Sequence, residues 1–352
     1  MLFSFDINET LFIKQKFLTE YELNPTVAIC ILKILERGDV VLLNTSNPLL
    51  IKANKLMYDL LGVLYKKNSK NEDIFNFEQR LKIYQNIMKN FYIAQMRGAC
   101  LRRVVPMNRR EFEQGGKFDC LNPQDYIGVD ESKVIYKSHI SGKEILRLHQ
   151  AMKKDSYFRR VANYQKFFTM DVNSVVKHPY IVEYFLCCPK SMENASLFLN
   201  RDEGDVFDEN FEKHRINDLI KKMGLNLKAV EILNYRAILS KNEIKIQKIF
   251  DKTPQPVSKE LPIKVLQKMY RLSADECFHF GNEEVDIMDK SIAQSFIVGN
   301  SIDDAKRENL KDNGVKFTPN VLSVLMKMEL SRILDENKNI IIEKENIIQK
   351  IK

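Results

Sequence analysis

Tryptophan is missing from the chain, and glycine and proline are scarce, at 12 and 10 of 352 residues. So few breakers exclude a collagen-like or low-complexity chain. No apolar run approaches the ~20 residues that cross a bilayer, and no charged stretch followed by an apolar one opens the sequence. A soluble, cytoplasmic protein is expected, with release into a host cell by a route lacking a classical signal left open. The six cysteines, Cys30, Cys100, Cys120, Cys187, Cys188 and Cys277, form no CxxC pair, so reduced thiols are expected. His139, His149, His178, His214 and His279 show no HxxxH or HxH spacing, which argues against zinc, and no GxxxxGK phosphate loop is present.

What is present describes a globular protein: 44% hydrophobic and 29% charged residues, enough length for one to three domains, with two the working expectation. The formal charge of +8 suits anionic partners but selects none of them.

"MLFSFDINETLF" is apolar on both faces up to Asp6, as a buried parallel strand requires. A helix is expected over 25–37, with Pro25 in its first turn and Gly38 as its stop, and "DVVLLNTSNP" then reads as a second buried strand. A helix over "IKANKLMYDLLGVL" completes a β-α-β-α start to a doubly wound sheet. Regular alternation then fades, with helical stretches expected at 75–98, 143–168 and 208–224. It resumes as a helix (260–271), a strand (276–280), an acidic loop, a helix (285–293), a strand (295–298) and a further strand at "VKFT". The apolar spacing from Leu330 to Ile351 suits an amphipathic helix packed on its own protein, a coiled coil and a membrane-surface helix being the alternatives.

Strands ending in "DINET", "NTS" and "GNEEVD" gather Asp6, Thr45 and Asp286 at the carboxyl edge of one sheet, where open α/β folds bind ligands. These residues resemble the haloacid dehalogenase (HAD) superfamily, in its Cof-like branch. "FDINETL" is similar to its first motif, hhhDxDxT. "VVLLNTSNP" resembles the second. "VSKELPIKVLQKMYRLSADECFHFGNEEVDIM" resembles the third and fourth, with Lys259 as the motif lysine, 22 residues before Gly281. The resemblance covers about residues 1–64 and 252–320, and an insertion between the second motif and the lysine is where the family places C2-type caps. It implies an α/β, Rossmann-like core with a parallel sheet and a large, mainly helical inserted cap. The layout expected is core at 1–64 and 252–325, cap at 65–251, and a C-terminal amphipathic helix at 326–352.

The resemblance implies Asp6 as nucleophile, Thr45 and Lys259 as phosphoryl ligands, and Mg²⁺ held by Asp6, the Asn8 carbonyl, Asn282 and Asp286; oxygen ligands suit that hard ion. Two residues depart from the family. Asn282 replaces a carboxylate at the metal, with Glu283 or Glu284 as possible compensation. Asn8 replaces the acid that protonates the leaving group, worth ~10²–10⁴ in rate. An amide cannot do this, so esters with good leaving groups are favoured, such as phosphotyrosine (phenol pKa ≈ 10), unless Glu9 or a cap carboxylate substitutes. A phosphohydrolase acting through an aspartyl-phosphate is the leading expectation. An impaired HAD scaffold acting as a binding or adaptor protein, for example a bacterial effector, is the alternative, and a phosphotransferase is a third.

Arg97, Arg102, Arg103, Arg109 and Arg110, with Arg159 and Arg160, could grip phosphate or an anionic membrane surface; solvated helix faces are the plainer reading. Nucleic acid is not expected, since no binding motif for it appears. His279, next to the fourth motif, reads as a hydrogen-bonded core histidine. The expected partner is a phosphorylated substrate, a phosphoprotein included, and the oligomeric state is open.

Overall fold

A computed structural model describes residues 1–14, 21–46, 51–104, 133–161, 194–198, 208–233, 236–251, 253–299 and 302–328. The first elements are β1 (Leu2–Phe5), β2 (Phe12–Lys14), β3 (Tyr21–Leu23), α1 (Pro25–Glu36), β4 (Val40–Asn44), α2 (Ile51–Leu64), α3 (Phe77–Asn90), β5 (Phe91–Gln95), β6 (Cys100–Arg103) and β7 (Val134–Lys137). Next come α4 (Gly142–Lys154), α5 (Ser156–Val161), β8 (Asn194–Phe198), α6 (Glu209–Lys222), β9 (Leu227–Leu233), β10 (Arg236–Lys241), β11 (Glu243–Lys245), α7 (Gln247–Phe250) and β12 (Pro254–Pro256). The chain continues through α8 (Glu260–Tyr270), β13 (Cys277–Gly281), β14 (Gln294–Val298), α9 (Asp304–Asp312) and β15 (Lys316–Thr318). Among the described residues, no helix is long and apolar enough to cross a membrane.

The main sheet runs β15-β14-β13-β1-β4-β5-β6-β7. It is parallel from β15 to β5 and antiparallel beyond. Every residue of β1 and β4 is buried, the reason both read as continuous apolar runs. On one face Phe3 stacks on Phe278, Phe5 on Phe280, and Phe280 on Phe296, with ring centroids 5.0–5.3 Å apart. That face packs against α1, α2 and α3. The opposite face, with Leu2, Leu42 and Cys277, packs against Leu261, Val265 and Leu266 of α8. The result is a three-layer α/β sandwich.

Helix α1 forms where its signals stand: the Asn24 side chain accepts from the Thr26 N–H, Pro25 occupies the first turn, and Gly38 follows the helix at φ +86°. The expected helix over 75–98 stops at Asn90 instead. "FYIAQ" is strand β5, because aromatic and branched residues buried on both faces favour a sheet interior. Strands β5, β6 and β7 therefore pair into the main sheet at positions beyond residue 65, where the sequence places the start of the insertion. The expected helix over 285–293 is absent. A single 3₁₀ turn, Glu284–Asp286, stands there, followed by a turn in which Asp289 accepts from the N–H and hydroxyl of Ser291. Side-chain oxygens capture the backbone donors that a helix would use.

Helices α4, α5 and α6 and the antiparallel sheet β8-β10-β9 make a second unit around its own core, including Ile145, Leu148, Ile216, Ile220, Ala229 and Leu239. Helices predominate among its described residues. Its sheet is not legible in the sequence. Among the described residues the chain crosses between the units near residues 138–141 and 242–245. Residues 321–328 are helical; the rest of the expected C-terminal helix, with Arg109, Arg110, Cys120, Cys187, Cys188 and His178, lies outside the described residues. Cys30, Cys100 and Cys277 are buried and form no disulfide.

Candidate active site

Parallel pairing delivers three strand ends to one edge. The Asp6 N–H donates to the Phe280 carbonyl at 2.8 Å, which locks the first residue beyond β1 to β13. Phe5 is in register with Leu43, so Asp6 falls beside Asn44, with Thr45 one residue further. Asp6, Thr45, Lys259, Asn282 and Asp286 are all buried. Lys259 immediately precedes α8, and its ammonium donates to Asp6 Oδ1 at 2.8 Å and Asp286 Oδ1 at 2.5 Å. The Asp286 Oδ2 accepts the N–H groups of Asn282 and Glu283, both at 3.1 Å, curling the loop back over Gly281. A Cβ on Gly281 would collide with the Asp286 side chain, so glycine is required for this approach.

Behind the carboxylate, His279 Nε2 faces Asp286 Oδ1 at 3.5 Å and Nδ1 lies 2.8 Å from Ser4 Oγ. A carboxylate only accepts, so Nε2 carries the proton and Nδ1 accepts from the serine hydroxyl. Ser4, His279, Asp286, Lys259 and Asp6 form one buried polar chain. Burial pushes the Asp6 carboxyl up to about 6, against the pull of Lys259. Asp286 is buried too, yet His279 and Lys259 hold it well below the usual carboxylate range. Burial opposes the Lys259 charge, but the two carboxylates raise its pKa overall. Burial keeps His279 neutral by pushing its pKa down. The site thus holds one firmly anionic carboxylate, one ammonium, and one carboxylate whose charge is incompletely compensated.

Asn8 lies in the loop past β1, where Ile7 accepts the N–H groups of Leu11 and Phe12. Thr10 donates to Asn282 Oδ1 at 3.3 Å, and Asn282 Nδ2 donates to Glu9 Oε2 at 3.4 Å. Glu9 holds a left-handed backbone at φ +54°. The roles of Asn44 and Arg97 escape a reading of the sequence, whereas His279 is the hydrogen-bonded core histidine that the sequence suggests. Asn44 Nδ2 donates to the Lys259 carbonyl at 2.7 Å and seats the lysine; its only sign is a polar residue ending an apolar strand. His279 braces Asp286. Arg97, in the β5–β6 turn, donates its N–H to the Thr45 carbonyl at 3.3 Å and its guanidinium to Glu231 Oε2 at 2.7 Å, joining the sheet edge to the second unit.

Among the described residues, no cluster of three or more His, Cys, Asp or Glu side chains is arranged around a metal position. The donors nearest the edge are oxygens, from two carboxylates and two asparagines, and the buried Asp6 charge is undercompensated by Lys259 alone. Both features suit a hard divalent cation beside Asp6, and Asp286 would have to give up one of the four contacts its two oxygens make in order to join Asp6 as a ligand.

No protein-family model matches the chain, and no curated protein matches its sequence. Its fold does match solved structures. A haloacid dehalogenase-like hydrolase from Bacteroides thetaiotaomicron superposes with a TM-score of 0.52 at 13% identity, over 93% of this chain and 98% of that one. SMU.1108c from Streptococcus mutans gives 0.50 at 10% identity, over 94% and 98%. A HAD subclass IIB sugar phosphatase gives 0.46 at 14%, over 93% and 98%. The fold is that of the HAD-like hydrolases, a Rossmann-like core with a cap.

Proposed function

We propose that the protein is a phosphohydrolase that transfers a phosphoryl group to Asp6. The observation that carries this reading is the convergence of Asp6, Lys259 and Asp286 at the carboxyl edge of the sheet, with Thr45 following the neighbouring strand. Asp6 attacks phosphorus through a carboxylate oxygen, forming an acyl phosphate as the leaving-group oxygen departs as an anion that takes a proton from solvent; water then cleaves the acyl phosphate, releasing phosphate and regenerating the carboxylate. Lys259 spends two N–H groups on Asp6 and Asp286, and the third is available to a phosphoryl oxygen. Thr45 stands beside the same position, where its hydroxyl donates to a second. Asp286, anchored by two backbone N–H groups and His279, holds Lys259 in place. The residues that would hold Mg²⁺ are Asp6, the Asn8 carbonyl, Asn282 and Asp286. Held by these residues, such an ion would supply positive charge to offset that of the transferring phosphoryl group.

Asn8 cannot donate a proton to the leaving oxygen, so the preferred substrates are esters of acidic alcohols, phosphotyrosine among them. The unit between the two crossings acts as the cap. A second reading, a scaffold that binds phosphorylated ligands without hydrolysis, is favoured by the amides at positions 8 and 282. Turnover of p-nitrophenyl phosphate with Mg²⁺ separates the two. The hydrolase reading expects activity that Asp6→Asn abolishes, and activity unchanged by that substitution would refute it.

A further inference from the structure

The cap sheet has two unlike faces. Leu227, Ala229 and Ile232 of β9 and Ala237 and Leu239 of β10 pack against the cap helices. Strand alternation turns Lys228 and Ser240 to the other face, where they stand directly opposite each other across the two strands. The Lys228 ammonium donates to the Val257 carbonyl at 2.5 Å, and no carboxylate among the described residues pairs with it. Val257 is two residues from Lys259, at most about 7 Å along the chain. Ser240 is 1% exposed and its hydroxyl has no hydrogen-bond partner among the described residues. A half-buried ammonium with no counterion among the described residues, on the strand position opposite a buried hydroxyl with no partner there, is costly unless something completes both.

Arg97 reaches the same strand from the core, donating to the Val230 carbonyl at 3.3 Å and to Glu231. Glu231 balances Arg97 and leaves Lys228 in excess. Burial, then Arg97 and Lys213, lower the Lys228 pKa. An anion reverses that unfavourable field.

We propose that Lys228 and Ser240 form a second anion subsite on the leaving-group side, so that the substrate is a phosphomonoester whose alcohol portion bears a carboxylate or a further phosphoryl group. This rests on the phosphohydrolase reading for the position of the ester but is tested by binding. The probes are 4-ethylphenyl, 4-(carboxymethyl)phenyl and 4-(phosphonomethyl)phenyl phosphate, which differ in the tail. Calorimetry on the Asp6→Asn protein is expected to show one of the anionic tails bound about tenfold more tightly than the ethyl tail, and which one identifies the group. Adding Lys228→Met is expected to shrink that preference to under about twofold, Lys228→Arg to keep most of it, and Ser240→Ala to weaken it partly. The preference in the Lys228-containing protein is also expected to fall as salt rises. Equal binding of all tails, a preference untouched by Lys228→Met, or no binding of any ester overturns the proposal. Turnover by the unsubstituted protein is followed in parallel. Its absence alongside a Lys228-dependent binding preference contradicts hydrolysis and leaves the subsite standing.

Discussion

Asp6 is buried, and its carboxyl titrates near 6 rather than at its ordinary 3.8. Below the unfolded value both states are protonated and the group costs nothing. As pH rises from about 4 to about 6 the unfolded chain ionises first, so folding loses stability, and above about 6 the loss is constant. At 1.36 kcal/mol per pKa unit the full penalty is on the order of 3 kcal/mol. Thermal melts should therefore show the unsubstituted protein gaining stability relative to Asp6→Asn on going from pH 7 to pH 5. A constant difference between the two proteins across that range contradicts the assignment. Mg²⁺ should raise the melting temperature at pH 7 in the unsubstituted protein and much less in Asp6→Asn, since a ligand stabilises only the state that binds it. Gly281→Ala should lower kcat by about 10²-fold, because the added methyl must displace Asp286 and with it Lys259. Activity at the unsubstituted level would mean that Asp286 does not position the lysine.

At the scale of elements, the β5–β6 turn carries more of the site than its sequence announces. Met96, Arg97 and Gly98 all have left-handed backbones, at φ +54°, +56° and +83°. A Cβ on Gly98 would overlap the Ser258 carbonyl oxygen, so this turn presses on the residue before Lys259. Gly98→Ala should raise KM and lower kcat together, and steady-state kinetics on the folded variant checks it. An unchanged kcat would show that the turn does not support Lys259. Strands β1, β4 and β13 and helices α1 and α8 were legible because their signals are local: continuous apolar runs, an asparagine cap, a proline in the first turn. The 285–293 segment was not, since its apolar spacing imitates a helix while the side chains of Ser295, Glu260 and Asp289 take up the N–H groups of Met288, Asp289 and Ser291. The extension of the sheet through β5 to β7 was hidden for a related reason. Those strands follow a long charged helix and lack the punctuation that marks the earlier ones.

At the scale of the whole molecule, the described links between cap and core are the crossings near 138–141 and 242–245 and polar contacts from Arg97 and Lys228. The Arg97–Glu231 pair is partly exposed and worth about 0.5–1 kcal/mol by itself. Arg97→Ala should thus leave the melting temperature little changed while speeding proteolytic cleavage at the 138–141 and 242–245 crossings, as local opening becomes easier. Equal cleavage rates would show that this pair does not hold the cap. Asp6 and Asp286 could be picked out of the sequence because each follows a recognisable buried strand, and Lys259 because it stands at the start of a legible helix in a segment resembling a known motif. Lys228 and Ser240 could not, because their pairing exists only once β9 and β10 are in register.

The central claim is that Asp6 accepts a phosphoryl group. Acid-quenching the protein during incubation with Mg²⁺ and p-nitrophenyl phosphate, followed by mass spectrometry of the tryptic peptide Met1–Lys14, reads it directly. A phosphoryl group on Asp6 in that peptide, labile to hydroxylamine and lost in Asp6→Asn, is expected. Turnover with the peptide unmodified, or with the phosphoryl group on another residue, would contradict it.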